Sequence, residues 1–304
     1  MDQTRLEEIL NRHIFSPQER PELLRKIAES PDRYVGIFRS TTPQLKLVQN
    51  LLQSREIRFG DAMEEVISEL LGELGFVHQP KRLLTTEEEE KSCDQYFSSA
   101  DQTAYFLVEQ KIRDDHDSSK KQGQFVNFRS KVNHLKEVHG SALVGIMYFI
   151  DPSLKKNRKY YKDQLQSLEA KLGIHLHLFY DGELFEYLGS PATWEFVTKG
   201  LRKWQESVPV SIELDYDREP EETWTALQAV DVGTWYKLIT NDALWDGHVI
   251  QALFPGGDIL KRLHRSFKQQ GASKVKIGNR KVSYQELAHI LEHRLGTEYG
   301  ISLK

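Results

Sequence analysis

The chain has 304 residues and a formal net charge of −4, with 28% charged and 39% hydrophobic residues. This length and composition predict a folded protein of about two structural units, and the net charge alone does not indicate a nucleic-acid partner. The single cysteine, Cys93, excludes an intramolecular disulfide and a zinc site built from cysteines, which fits a reducing cytoplasm.

The N-terminal part of the chain is predicted to be helical. Leu6, Leu10 and Ile14 recur at helical spacing, and Pro43 starts a second helical stretch. The first residues are charged and amphipathic, unlike a signal peptide, and no run reaches the ~18 apolar residues of a membrane span. We therefore expect a soluble, cytoplasmic protein without membrane contact, whose residues 1–58 form a helical N-terminal region.

An amphipathic helix is predicted from Asp61 to Leu74, and Gly75 ends it. Two runs of β-forming residues follow at 93–97 and 104–112, separated by a turn-rich hexapeptide, which predicts an antiparallel hairpin. A helix is predicted next, over about residues 119–138. Its predicted polar side carries Lys120, Lys121, Arg129, Lys131 and Lys136.

The apolar run 141–150 predicts a strand that is buried on both faces. A basic helix, a strand at 174–180, a turn with a further short strand at 181–188, and a helix at 192–206 complete the pattern. This alternation predicts an α/β fold for residues 59–206, with a central mixed β-sheet flanked by helices. Residues 207–304 are predicted to form a mainly helical region, a candidate for DNA contact or dimerisation.

The predicted hairpin carries residues that suggest a catalytic site. Asp94 lies in the first strand region, and Glu109 and Lys111 share one face of the second because residues i and i+2 point the same way. Two neighbouring carboxylates repel, and a divalent cation relieves that repulsion; oxygen ligands suit magnesium or manganese. With a lysine that can orient or deprotonate water, this set fits phosphodiester hydrolysis.

Asp94 followed by Glu109-Gln110-Lys111 resembles the motif of the PD-(D/E)XK nuclease superfamily. The order of elements over residues 59–180 also resembles the core of that superfamily, although Cys93 stands where proline is usual. The charged stretch after the motif and the helical flanks look most like type II restriction endonucleases. The resemblance implies a restriction-endonuclease-like fold and Mg²⁺-dependent cleavage of double-stranded DNA at a specific short sequence, within a restriction-modification system.

The resemblance also implies roles for individual residues. Asp94 and Glu109 would hold Mg²⁺, which Mn²⁺ can replace, and Lys111 would position or activate the attacking water. Glu64, on the preceding helix, would be a further catalytic acid and metal ligand, with Glu65 as its competitor. Gln124 lies where some members place a glutamine near the site. Symmetric DNA sites would favour a homodimer, and a companion methyltransferase, not bound to the nuclease, would protect host DNA.

Charge is distributed unevenly along the chain. Residues 61–101 contain 3 Lys/Arg and 11 Asp/Glu, residues 111–162 contain 12 and 5, and residues 258–281 contain 8 and 1. The two basic segments predict contact with a phosphate backbone. Amide side chains can pair with adenine and arginine with guanine. The candidate DNA-binding residues are Lys120, Lys121, Gln122, Gln124, Asn127 and Arg129.

Other interpretations remain open from the sequence. Glu109 and Lys111 could form an ion pair at a solvated strand edge, and Asp114, Asp115 and Asp117 are expected in a solvated loop rather than as metal ligands. The alternative functions are a structure-specific repair or recombination nuclease and a non-catalytic DNA-binding protein on a nuclease-like fold.

Overall fold

The computed structural model describes residues 1–36, 38, 40–84, 90–209, 212 and 214–303. The chain forms two compact units, each assembled from two separate stretches. The first unit consists of Met1–Ile14 and Ile57–Val208, and the second of Phe15–Glu56 and Pro209–Lys304. The first unit therefore contains all of residues 59–206, for which the sequence predicts the nuclease core.

Helices run through both units. In chain order they are α1 (Gln3–Ile14), α2 (Glu19–Glu29), α3 (Asp32–Val35), α4 (Pro43–Glu73), α5 (Ser118–His139), α6 (Arg158–Leu172), α7 (Glu183–Tyr187), α8 (Pro191–Ser207), α9 (Pro220–Leu227), α10 (Val232–Thr240), α11 (Asp242–Asp246), α12 (Val249–Leu253), α13 (Asp258–Gln270) and α14 (Tyr284–Tyr299). Among the helices of the described residues, none combines the length and the apolar character that crossing a membrane requires.

The strands form one larger sheet and two hairpins. They are β1 (Val77–His78), β2 (Arg82–Leu84), β3 (Glu90–Ser92), β4 (Gln95–Ser98), β5 (Tyr105–Lys111), β6 (Leu143–Phe149), β7 (His175–Tyr180), β8 (Lys274–Ile277) and β9 (Arg280–Ser283). The order in the larger sheet is β1-β4-β5-β6-β7, with β2-β3 and β8-β9 as separate pairs.

The larger sheet is mixed. Strand β4 pairs antiparallel with β5, whereas β5, β6 and β7 run parallel. All seven residues of β6 are buried, as expected for a central strand covered on both faces. The predicted hairpin and the α/β fold with a central mixed sheet flanked by helices are therefore confirmed.

Helix α5 packs closely on one face of this sheet. Phe128 and Val132 of α5 share a buried cluster with Met147 of β6. Gly145 permits this approach, because a Cβ atom there would lie 2.6 Å from Leu176 Cδ2 and 3.2 Å from the Phe128 ring. On the opposite face, the Tyr148 ring lies 6.2 Å from that of Trp194 in α8. Both faces of the sheet are thus covered by helices.

The structure corrects several local predictions. Residues 183–187 form a short helix, α7, instead of a strand, and this helix buries the consecutive Leu184 and Phe185. Helix α4 is continuous over the two helices predicted near 43–53 and 61–74, and Gly60 lies within it. The region predicted to be mainly helical is so, and it also contains the short strands β8 and β9.

The second unit has its own hydrophobic core. Leu24 and Leu47, from the N-terminal stretch, pack in one cluster with Trp235, Leu260 and Leu291 from the C-terminal stretch. The burial of large apolar side chains from both stretches explains why residues distant in sequence form one compact unit.

Candidate active site

The candidate site lies where β5 ends and β4 begins. Tyr105-Phe106-Leu107-Val108 is a run of β-forming residues, and Gln95 of β4 pairs with Val108 of β5. Asp94 directly precedes Gln95, so this register brings Asp94 level with Glu109. The hairpin thereby places an acid from each strand at the same end of the sheet.

The Lys111 ammonium lies between the two acids. Its Nζ is 2.6 Å from Asp94 Oδ2, 3.0 Å from Glu109 Oε1 and 2.7 Å from the backbone oxygen of Gln110. The backbone N–H of Gln110 also donates to Asp94 Oδ2 at 2.8 Å. The structure therefore brings together the three motif residues predicted from the sequence, around one positive charge.

Lys131 is a further member of this cluster that the sequence interpretation missed. Its Nζ donates to Glu109 Oε2 at 2.6 Å, and both side chains are 3% exposed. Its predicted place on the polar side of the helix is therefore wrong. Its spacing indicates burial, because Lys131 lies three residues after Phe128 and four before Leu135, within the buried stripe of α5.

The cluster alternates acids and bases in the order Asp94, Lys111, Glu109, Lys131. Burial lowers the pKa of Lys111, but the neighbouring Glu109 and Asp94 charges outweigh that effect, so the pKa of Lys111 is raised above its ordinary value. Lys111 is therefore a charged ammonium at neutral pH. In this arrangement its ammonium donates to Asp94 Oδ2 and to the Gln110 carbonyl oxygen.

Glu64 and Glu65, which the sequence left as competitors, have different surroundings. Burial and the Asp94 charge raise the pKa of Glu64 to about 7. The Gln95 amide donates to the backbone oxygen of Glu64 at 2.6 Å and so joins α4 to β4. Glu65 instead bonds to Arg12 and, at 2.7 Å, to His13 of α1. Of the two acids, Glu64 is the one whose ionisation responds to the Asp94 charge.

The three aspartates after β5 have separate structural surroundings. Asp114 is fully buried, where Oδ2 accepts from Tyr180 Oη at 2.8 Å and from the Asn157 N–H at 2.9 Å. Asp117 caps α5 by accepting from the Lys120 N–H at 2.9 Å. Asp115 is exposed. The expectation of a solvated loop is wrong for Asp114.

The candidate DNA-binding residues all lie in the first four turns of α5. Lys120, Gln122, Asn127 and Arg129 are exposed to solvent. The Lys121 ammonium lies 4.7 Å from the centre of the Tyr160 ring. The carboxamide oxygen of Gln124 accepts from Tyr161 Oη at 2.8 Å, which joins α5 to α6.

The oxygen atoms around Lys111 have the chemistry of a site for a hard divalent cation. In the part of the chain that the structure describes, no three His, Cys, Asp or Glu side chains are arranged to hold a metal ion. The two carboxylates and one carbonyl around the Lys111 ammonium are nevertheless donors that Mg²⁺ and Mn²⁺ prefer. The Lys111 ammonium takes the place of a metal cation there, so these residues fit the magnesium ion that the sequence implies.

A hairpin with two carboxylates and a lysine at one end of a helix-covered mixed sheet resembles the core of a nuclease of the PD-(D/E)XK type. Residues 77–205 match the family model described as the type II restriction endonuclease HinfI. This region is similar to a restriction endonuclease domain, and it includes Asp94, Glu109, Lys111 and Lys131, whereas Glu64 precedes the matched residues. A search of curated proteins gave no match to the chain.

Proposed function

We propose that the protein is a type II restriction endonuclease that cuts double-stranded DNA at a specific short sequence in the presence of Mg²⁺. The observation that carries this proposal is the Lys111 ammonium held by Asp94, Glu109 and the Gln110 carbonyl, within a domain that matches a restriction endonuclease family.

The same three oxygen donors would hold the magnesium ion, and Mn²⁺ could take its place. When bound, the ion would supply positive charge to the scissile phosphate and make an attacking water more acidic. Glu64, whose pKa of about 7 leaves it close to ionisation at neutral pH, would support that ion or a second one.

Lys111 would act through its charge. Because its pKa is raised, it would donate a hydrogen bond to the attacking water or to a phosphate oxygen and would stabilise the negative charge that develops there. Lys131 would hold the Glu109 carboxylate in position from α5, since its ammonium is bonded to the oxygen that Lys111 leaves free.

The start of α5 would contact the DNA. Its first turn contains Lys120 and no acidic residue, so side-chain charge favours a phosphate beside the Asp117 cap. Exposed Gln122, Asn127 and Arg129 would be able to reach base edges, and Lys121 and Gln124 complete the proposed DNA-binding set.

A homodimer would place one active site on each strand of a symmetric sequence. A methyltransferase that modifies the same sequence would protect the host DNA, in the cytoplasm where both would act.

The direct test is digestion of a sequenced phage genome with Mg²⁺, followed by sequencing of the product ends. We expect discrete fragments with a common sequence at every cut. Cuts confined to junctions or free ends would instead support a structure-specific repair nuclease, and DNA binding without any cut would support the non-catalytic alternative.

The active site is tested by Asp94→Asn and Lys111→Gln. Each substitution removes a member of the charged cluster, and we expect each to slow cleavage by roughly 10²–10³-fold or more. Glu137→Gln is the matched control, because Glu137 is an exposed acid on α5. Cleavage by Asp94→Asn at the rate of the control would refute the proposed site.

A further inference from the structure

The β8–β9 hairpin of the second unit has two different faces. Val282 is fully buried in the core, and Ile277 packs against that core. Lys274, Lys276 and Lys281 point the other way and are exposed. We call these three lysines the hairpin face. The two-residue turn uses Gly278, whose φ of 60° suits the tight hairpin connection.

The hairpin face concentrates like charges. Lys276 lies directly opposite Lys281 in the antiparallel register, and like charges in that position destabilise a hairpin. Among the described residues, no acid forms an ion pair with a lysine of the hairpin face. Arg280, by contrast, bonds to Glu286 at 3.0 Å and to Tyr236 Oη at 3.2 Å. Within the described residues, Arg280 is therefore compensated by an acid and the three lysines of the hairpin face are not.

The hairpin is anchored and is not a loose loop. The Tyr284 N–H donates to the Ser273 oxygen at 3.0 Å, and the Gln285 N–H donates to the Gly271 oxygen at 3.0 Å, so both ends are joined. A rigid strand pair presents its charges in a fixed array, which lowers the entropic cost of binding a repeating polyanion.

The preceding helix extends the basic character of this segment. Asp258, the only acid in residues 258–281, pairs with Lys261 at 2.7 Å, and Arg262 bonds to Glu221. Arg265 and Lys268 remain exposed on one side of α13, three residues apart. The excess positive charge of this segment therefore lies on exposed side chains.

We propose that the hairpin face binds the sugar–phosphate backbone of double-stranded DNA, as a sequence-independent contact made by the second unit. This inference rests on the proposed function, which supplies duplex DNA as the substrate. The hairpin face consists of lysines without an aromatic or large apolar side chain, which suits phosphates better than unstacked bases or an apolar protein surface. A two-stranded ribbon is also narrow enough to follow a DNA groove.

The test measures DNA binding by fluorescence anisotropy in EDTA, with a duplex of arbitrary sequence, between about 50 and 200 mM salt. The variant is Lys276→Gln/Lys281→Gln in the full chain. Each lost phosphate contact reduces the slope of log K against log salt by about 0.9, so we expect a reduction of about 1.8. An unchanged melting temperature will show that the fold is intact.

The matched control is Lys171→Gln/Lys199→Gln, which removes the same charge from exposed positions in the first unit. Its slope should stay at the wild-type value. If both double variants lose the same slope, or neither does, the hairpin face has no special role and the proposal is overturned. Stronger competition by duplex RNA than by duplex DNA would also overturn it.

Cleavage of phage DNA with Mg²⁺, measured in parallel on the unmodified protein, separates this inference from the proposed function. Cleavage with no slope difference between the variants would refute the hairpin contact and leave the nuclease intact. A slope reduction without any cleavage would support the hairpin contact and refute the nuclease.

Discussion

Lys131 is a buried ammonium whose place in the structure depends on one carboxylate. Burying a charge costs several kcal/mol, and close pairing with an opposite charge offsets that cost. Lys131 is paired with Glu109 at 2.6 Å, and Glu109 is paired on its other oxygen with Lys111. The position of the Glu109 carboxylate therefore depends on α5 as well as on its own strand.

We predict that Lys131→Met destabilises the protein by about 3 kcal/mol, because it removes one of the two ammonium partners of the buried Glu109 carboxylate. Urea unfolding in EDTA measures this loss. Lys136→Met, on the same helix and without such a pair among the described contacts, should change stability by no more than about 0.5 kcal/mol.

A double-mutant cycle with Glu109→Gln checks the cause of that loss. If Lys131 acts through Glu109, the double variant will be more stable than the sum of the two single effects implies. Strictly additive effects would show that packing alone explains the loss.

Glu64 gives a prediction about pH. Its pKa is about 7 in the folded protein against an ordinary value of 4.5, because burial and the Asp94 charge disfavour the carboxylate. A raised folded pKa means that the unfolded chain releases the proton first as pH rises. The stability linked to this proton is therefore fully present below pH 4.5 and is lost between pH 4.5 and about 7.

Glu64→Gln removes this dependence. As pH rises through this window, we expect the free energy of unfolding of the variant to increase by about 1–2 kcal/mol relative to the wild type. This magnitude is reduced for the partial exposure of Glu64. Urea unfolding in EDTA at several pH values measures the difference. A difference that does not change with pH would show that the Glu64 pKa is ordinary in the folded protein.

The elements that follow a strong local pattern could be predicted from the sequence. The β-forming runs around residues 93–112, with a polar turn between them, gave the β4–β5 hairpin, and the alternation of side chains put Glu109 and Lys111 on one face. The fully apolar run 141–150 gave the central strand β6. These predictions succeeded because local preference and tertiary burial agree there.

Other elements depend on packing that a single segment does not reveal. The sequence of α7 is predicted to form a short strand, but burial of the adjacent Leu184 and Phe185 favours a helical turn. The lysine-rich strands β8 and β9 have a buried side only because the core of the second unit lies beneath them. The positive charge of Lys131 predicts a solvent-exposed side chain, and this expectation took precedence over its helical spacing, which predicts burial. In each case the deciding partner is distant in sequence.

The N-terminal cap of α5 can be tested at the element scale. Asp117 accepts from the Lys120 N–H at 2.9 Å, which satisfies a donor that the helix leaves unpaired. We predict that Asp117→Ala costs about 1 kcal/mol in the free energy of unfolding. The matched control is Asp115→Ala, since Asp115 is exposed and does not cap the helix. Equal stability of the two variants would show that the cap contributes nothing.

At the scale of the whole molecule, the second unit cannot be separated from the first by one cut in the chain. Its core joins Leu24, Ile27 and Leu47 to residues beyond position 209. The C-terminal region is thus not an appendage to a complete N-terminal protein. Each stretch of this unit leaves an apolar surface when the other is absent.

We predict that truncation after Val208 gives a protein that aggregates and binds a hydrophobic dye. The truncation removes the partners of apolar side chains that are at most 8% exposed in the intact chain, namely Leu23, Leu24, Ile27, Ala28, Tyr34, Leu47 and Leu51. Each large side chain among them loses roughly 1.5–3 kcal/mol of burial energy, and together they form an apolar patch larger than soluble monomers usually expose.

The matched control carries the same truncation with Leu23, Leu24 and Ile27 replaced by serine. If exposed apolar surface causes the aggregation, these substitutions will reduce both dye binding and aggregation, although they remove stabilising residues from the intact protein. A truncated protein that stays monomeric without binding dye would show that residues 15–56 bury their apolar side chains elsewhere. In that case the shared core would not be what keeps the two stretches of the second unit together.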